Sequence, residues 1–167
     1  MIIRPATLSD TTTLGRLGGL LVRQHHAMDP ARFIPAQPET DRSYGAYLGS
    51  RLGRPDVVLL VAEQDGRVVG FVWGGLEDTD YMALRGPAGA IYDLVVDPDY
   101  RRGGIGRALL DAALAGLARL GAPRVVLSTA EGNAAAQQLF RSAGFRVTMR
   151  EMTRELGGTL DDPRPRP

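Results

Sequence analysis

The sequence predicts a single α/β domain, and three observations predict it. Stretches of strand and helix character follow one another in the order β α α β β β α β α β. The 167 residues are 44% hydrophobic, enough for one domain of ordinary size to bury a core. The uninterrupted "LVV" of residues 94–96 has the look of a strand covered on both faces. All these elements fall within residues 1–156. The remainder, "GGTLDDPRPRP" over 157–167, is polar and proline-rich and reads as a flexible tail.

Met1–Ala6 is the first strand. Ser9 or Asp10 can cap a helix whose apolar Leu14, Leu17 and Leu21 recur at helical spacing. Gly15, Gly18 and Gly19 weaken that helix and would allow a neighbour to approach closely. Prolines at 30, 35 and 38 mark a loop, and Thr40 or Asp41 can cap a second helix carrying Tyr44, Tyr47, Leu48 and Leu52. Two strands follow around Asp65-Gly66, a pair suited to the positive backbone angles of a tight hairpin. After the loop "LEDTDYMALRGPAG" comes the strand Ala90–Val96, then a helix over Ile105–Leu120. Arg124–Thr129 is a strand, Asn133 can cap a helix that Gly144 ends, and Phe145–Glu155 is a final strand.

Several function classes are excluded early. The chain has 20 basic and 19 acidic residues, a net charge of +1, which argues against nucleic-acid binding by bulk electrostatics. It has no cysteine, so disulfides and thiolate chemistry are out, and two adjacent histidines, His25 and His26, are a poor basis for a metal site. Every basic residue is arginine, so lysine-dependent chemistry is out as well. The start lacks the layout of a signal peptide and no apolar run approaches a membrane span, so the expectation is a cytoplasmic protein with no membrane partner.

The chemistry-bearing stretch is "RRGGIG", residues 101–106, between a strand and a helix. Unpaired N–H groups at a helix N-terminus attract an anion, and glycines leave them accessible. Arg101, Arg102 and Arg107 can add charge. The dinucleotide fingerprint fails because residue 109 is Leu109, and the nucleotide P-loop fails for want of lysine. A glycine-rich helix entry with no ligand is the plainer alternative.

Four segments carry a resemblance. Arg101, Gly104 and Gly106 form an Arg-x-x-Gly-x-Gly pattern. "IYDLVVDP" precedes it, while "NAAAQQLFRSAGF" and "REMTREL" follow. Over residues 1–156 the chain resembles the GNAT superfamily of N-acetyltransferases. The resemblance implies a central mixed, mostly antiparallel sheet with one splayed strand pair, flanked by helices. It implies acetyl-CoA as cosubstrate, no metal, a small-molecule or peptide amine as acceptor, and a homodimer as a common assembly.

The resemblance also assigns residues. The loop N–H groups of Arg102, Gly103, Gly104, Ile105, Gly106 and Arg107 would take the pyrophosphate, and Arg101 would order the turn. The backbone of Leu94, Val95 and Val96 would pair with the pantetheine arm, and Asn133 is either a cofactor contact or simply a helix cap. Phe140 stands where many members have a tyrosine that serves as general acid. That departure leaves protonation of the leaving thiolate to water, Tyr92 or Ser128, and it motivates a second reading as a non-catalytic acyl-CoA-binding domain. Asp93 is the first candidate for general base or else a structural carboxylate. Strict alternation would set it on one face with Ile91 and Val95, opposite Tyr92. Glu77 is the second candidate base, or a solvated loop charge. His25, Tyr44 and Trp73 are candidates for the acceptor wall, with core or helix-end roles as the plainer alternatives.

Overall fold

A computed structural model describes residues 1–156. The predicted tail over 157–167 lies outside the described residues. The elements are β1 (Ile2–Pro5), α1 (Thr11–Met28), α2 (Thr40–Gly49), β2 (Val57–Gln64), β3 (Arg67–Glu77), β4 (Ala88–Val96), α3 (Ile105–Arg119), β5 (Val125–Leu127) and α4 (Ala134–Ser142). The five strands form one sheet in the order β1-β2-β3-β4-β5, antiparallel except for the parallel β4–β5 pair. The expected mixed, mostly antiparallel sheet is therefore present. The β2–β3 hairpin turns on Asp65 and Gly66 at φ 52° and 73°, as its Asp-Gly pair requires.

Helices cover both faces. On one, Leu109, Leu110, Ala113 and Leu117 of α3 pack with Val58, Val72 and Ile91, and Phe140 of α4 joins them. On the other, Leu14 and Leu17 of α1 and Leu48 of α2 pack on Leu59, Val61, Phe71, Trp73 and Val95. Removing each such aliphatic side chain from water stabilises the fold by roughly 1.5–3 kcal/mol, so both layers are firmly attached. Among the described residues no helix is long and apolar enough to cross a membrane.

The glycines of α1 explain how α2 sits. A Cβ on Gly15 would stand 2.2 Å from the Asp41 carbonyl oxygen, and one on Gly18 would stand 2.1 Å from the Tyr44 ring. The residues that weaken α1 as a helix let α2 approach until Tyr44 lies directly over Gly18, within reach of the sheet.

α1 does not start on a plain side-chain cap. Leu8–Asp10 form a short 3₁₀ turn, and the buried Asp10 carboxylate accepts from the Thr7 N–H at 2.8 Å and from Arg4 at 2.8 and 3.0 Å. The Arg4 hydrogen bonds, against some desolvation, hold the Asp10 pKa down at about 2.

Two expectations are corrected. Phe145–Glu155 forms no strand. Val147, Met149 and Met152 are exposed there, and the segment reaches the α1–α2 loop, where Glu151 pairs with Arg32. Its alternating pattern is strand-like, but alternation supplies no hydrogen-bonding neighbour, and β5 is only three residues long. The second correction concerns β4. Its register with β3 shifts between Trp73↔Asp93 and Gly74↔Ile91, leaving Tyr92 as the extra residue of a β-bulge. The bulge reverses the alternation. Ile91 packs on the α3 side and Val95 on the α1–α2 side, so they do not share a face. Tyr92 and Asp93 both turn toward Trp73 rather than to opposite faces.

The bulge also marks where the sheet opens. β5 pairs with β4 only at Gly89, Ala90 and Ile91, and Tyr92–Val96 continue without a β5 partner. This is the splayed pair, with a bulge that twists β4 away at the point of separation.

Candidate active site

The loop after β4 is braced by its own first arginine. Arg101 Nε donates to the Val96 carbonyl at 3.0 Å, and Asp97 Oδ1 accepts from the Asp99 N–H at 3.3 Å. Arg102 and Gly104 then take positive φ of 66° and 80°, with Gly104 as the cap residue of α3. Within the described residues, no backbone or side-chain acceptor meets the N–H groups of Arg102, Gly103, Gly104, Ile105, Gly106 or Arg107. A Cβ added at Gly104 would meet no protein atom within 4 Å, and one at Gly103 only the Tyr100 carbonyl at 3.8 Å. The loop is thus an open row of donors at the positive end of a 15-residue helix.

Its side chains are less uniform than the sequence suggests. Arg107 is committed to Asp111 at 2.9 Å and to the Ser142 carbonyl at 3.3 Å, so its charge is largely spent within the helix pair. The Ile105 side chain is buried in the core, leaving only its backbone to the loop. Arg102 is exposed and has no ion-pair partner among the described residues.

The opening beside β4 offers backbone groups selectively. The Asp97 N–H bonds to the Val69 carbonyl of β3, so strand alternation turns Val95 toward β3 also. Val95 is buried and faces away from the opening. Leu94 and Val96 therefore present backbone to the unpaired side, and the Arg101 contact on the Val96 carbonyl agrees with that direction.

On the α1–α2 face, three sequence candidates converge with Asp93. The Trp73 indole N–H donates to Asp93 Oδ2 at 2.5 Å, and the Tyr44 hydroxyl donates to the same oxygen. Oδ1 accepts from no described residue, yet it is not sealed from solvent. Burial pushes the Asp93 carboxyl above its ordinary 3.8, against the opposing pull of the Tyr44 and Trp73 hydrogen bonds and of the His25 charge. The Tyr44 hydroxyl is pushed up in turn, by burial and by the Asp93 charge, so it remains a donor.

Asp93 forms part of the wall of a cleft of about 230 Å³, together with Tyr44 and His25. The His25 Nδ1 lies 2.9 Å from the Leu21 carbonyl, which can only accept, so Nδ1 carries the proton of that contact. Leu21, Val22, Phe33 and Ile34 complete the lining. The sequence marks none of these four as a site residue, and Leu21 only as part of the apolar stripe of α1. Phe33 and Ile34 offered a signal in hindsight, as two large apolar residues inside a proline-marked loop.

Tyr92 and Glu77 form a neighbouring unit. The Tyr92 ring lies 4.3 Å from that of Trp73, and its hydroxyl donates to Glu77 Oε1 at 2.7 Å. Partial burial and Glu77 push its pKa up to about 12. Glu77 Oε2 is ion-paired with Arg85. Each Glu77 oxygen thus already has one partner, Tyr92 on Oε1 and Arg85 on Oε2.

Asn133 caps α4, its Oδ1 accepting from the Ala136 N–H at 3.2 Å. Phe140 is buried edge-on against Phe145, with centroids 5.9 Å apart, and offers no proton. Among the described residues no cluster of histidine, aspartate or glutamate is placed to hold a metal ion.

Comparison with known proteins agrees with this geometry. The profile described as the Acetyltransferase (GNAT) family matches residues 22–145. A mycothiol acetyltransferase of Clavibacter michiganensis subsp. michiganensis is 36% identical over 120 residues, covering 70% of this chain and 37% of that protein. The chain thus spans about a third of the length of that relative. A mutant of the BH1408 protein of Bacillus halodurans superposes with a TM-score of 0.80 at 23% identity, covering 93% of this chain and 99% of that one. A predicted acetyltransferase of Clostridium acetobutylicum, crystallised with acetyl-CoA, superposes with a TM-score of 0.71 at 17% identity, covering 93% of this chain and 96% of that one.

Proposed function

The chain belongs to the acetyltransferase (GNAT) family, and from that premise we propose that it is an N-acetyltransferase. It takes the acetyl group of acetyl-CoA to a primary amine by direct attack in a ternary complex. The observation that carries this reading is the position of Asp93. It lines the cleft two residues beyond the last β4–β5 pair, and its Oδ1 accepts from no described residue.

The residues present fit acetyl-CoA, which supplies the activated thioester. The open donor row from Arg102 to Arg107 suits a pyrophosphate, with the Arg102 guanidinium beside it. The unpaired backbone of Leu94 and Val96 suits an extended amide-bearing arm, added as a strand would be. The Leu94 N–H is also the donor positioned to polarise a carbonyl in the opening.

The acceptor enters from the opposite side, through the cleft. An ammonium group cannot attack, because an alkylamine holds its proton up to roughly pH 10. Asp93 accepts that proton on Oδ1, while Tyr44 and Trp73 fix the carboxylate through Oδ2. The Tyr92 proton is directed to Glu77, which leaves Ser128 or water in the place of the missing acid at Phe140. A thiol pKa of about 8.5 makes thiolate a tolerable leaving group without one.

The test is release of free thiol from acetyl-CoA over a panel of primary amines. Amine-dependent release is expected, with N-acetylated product in equal amount. Saturable CoA binding with no amine-dependent release would instead support the non-catalytic acyl-CoA-binding alternative.

A further inference from the structure

The cleft beside Asp93 restricts the kind of amine that fits it, provided the acetyltransferase reading stands. Four of its walls, Leu21, Val22, Phe33 and Ile34, are apolar. Its polar groups are few. The Tyr44 hydroxyl is already given to Asp93, and His25 Nδ1 to the Leu21 carbonyl. Asp93 is therefore the single acidic group of the lining.

Several carboxylates of the neighbouring elements are already taken. Glu77 is paired with Arg85, Asp41 with Arg23 at 2.9 Å, Asp97 with Arg16 at 2.9 Å, and Glu151 with Arg32. Asp29 accepts from the N–H groups of Ala31 and Arg32 at 3.1 and 3.2 Å. In the stretch 77–80, Asp80 accepts from the Met82 and Ala83 N–H groups at 2.9 and 3.0 Å, and Asp78 is not part of the cleft lining. At the mouth the exposed feature is apolar, Ile34 at 75% exposure, and the Arg32 guanidinium, 5.0 Å over the Phe33 ring, is already paired with Glu151. A second ammonium group would find no further carboxylate in the lining. At about 230 Å³ the cleft is also smaller than the ~300–1,000 Å³ usual for small-molecule sites, so it suits one limb rather than several rings.

We propose that the acceptor is a monocationic primary amine on an apolar alkyl or arylalkyl body. Its ammonium group sits at Asp93, and its body lies along Leu21, Val22, Phe33 and Ile34. Polyamines and aminoglycosides are disfavoured, because their further charges find no carboxylate besides Asp93 in the lining.

The experiment compares kcat/KM at saturating acetyl-CoA for phenethylamine and hexylamine against spermidine and kanamycin. The apolar amines are expected to lead by on the order of tenfold or more. Ile34→Asp places a carboxylate at the mouth, and because Ile34 is exposed the fold is not at stake. It is expected to narrow that ratio by several fold, lowering the apolar amines and raising spermidine. A preference for spermidine or kanamycin in the native protein, or an unchanged ratio in Ile34→Asp, overturns the inference and leaves the acetyltransferase reading standing. Thiol release unmoved by every amine overturns both.

Discussion

Gly104→Val is expected to lose acetyl-CoA binding by about 100-fold or more while remaining folded. Two effects combine. Valine at a φ of 80° adopts a backbone conformation that costs an L-residue roughly 1–2 kcal/mol, or about 2–8 °C in Tm for a domain of this size. Its side chain also stands before the N–H groups of the α3 entry, where the protein itself leaves open space. Blocking two hydrogen bonds to a charged ligand, each worth about 1.5–3 kcal/mol, accounts for the lost affinity. Gly104→Asn separates the two effects, since asparagine enters the left-handed region readily. It should keep nearly native stability and still weaken binding by at least ~10-fold. Calorimetric titration with CoA, alongside thermal unfolding, reads both quantities. Native affinity in a folded Gly104→Val protein would mean that the ligand lies elsewhere.

Asp93→Asn is expected to reduce kcat by about 10²–10⁴ with little change in CoA affinity. The asparagine oxygen can still accept from Tyr44 and Trp73, so the pocket keeps its shape. Stability should not fall, and the sign follows from the protonation equilibrium. Burial raises the Asp93 carboxyl above 3.8, so the folded protein binds this proton more tightly than the unfolded chain. The stabilisation it brings is complete below about pH 3.8 and is lost as the pH rises through the folded value. At neutral pH the buried ionised carboxylate is a burden, and the neutral amide relieves it. The same shift predicts that kcat/KM rises through a limb above 3.8 as Asp93 deprotonates, and that this limb is missing in Asp93→Asn. A variant with native turnover removes Asp93 from the chemistry, whereas one that unfolds makes it a structural carboxylate.

Local signals carried most of the fold. The Asp65-Gly66 turn, the Asn133 cap and the Gly144 stop depend on neighbouring residues, and each was readable from the chain itself. The open row of donors was readable for the same reason, because it consists of backbone N–H groups and of glycines that expose them. The acceptor side was not, because it is assembled by tertiary approach. Tyr44 reaches Asp93 only because Gly15 and Gly18 let α2 settle against α1. The bulge at Tyr92 was invisible to strict alternation, and it alone decides that Tyr92 and Asp93 stand on the same side as Trp73. Arg107 looked like a phosphate ligand by position, but an aspartate one helical turn away takes its charge. The unpaired segment after Phe145 shows the same limit, since a strand pattern needs a neighbour that sequence periodicity does not reveal.

The most direct test is an amide-resolved NMR titration of the native protein with CoA. The N–H signals of Arg102 to Arg107 are expected to move together and saturably, accompanied by those of Leu94 and Val96 beside the β4–β5 opening. The Val95 amide, held toward β3, should move least of the three. Saturable CoA binding that leaves residues 102–107 in place, with shifts gathered elsewhere on the surface, would contradict the account.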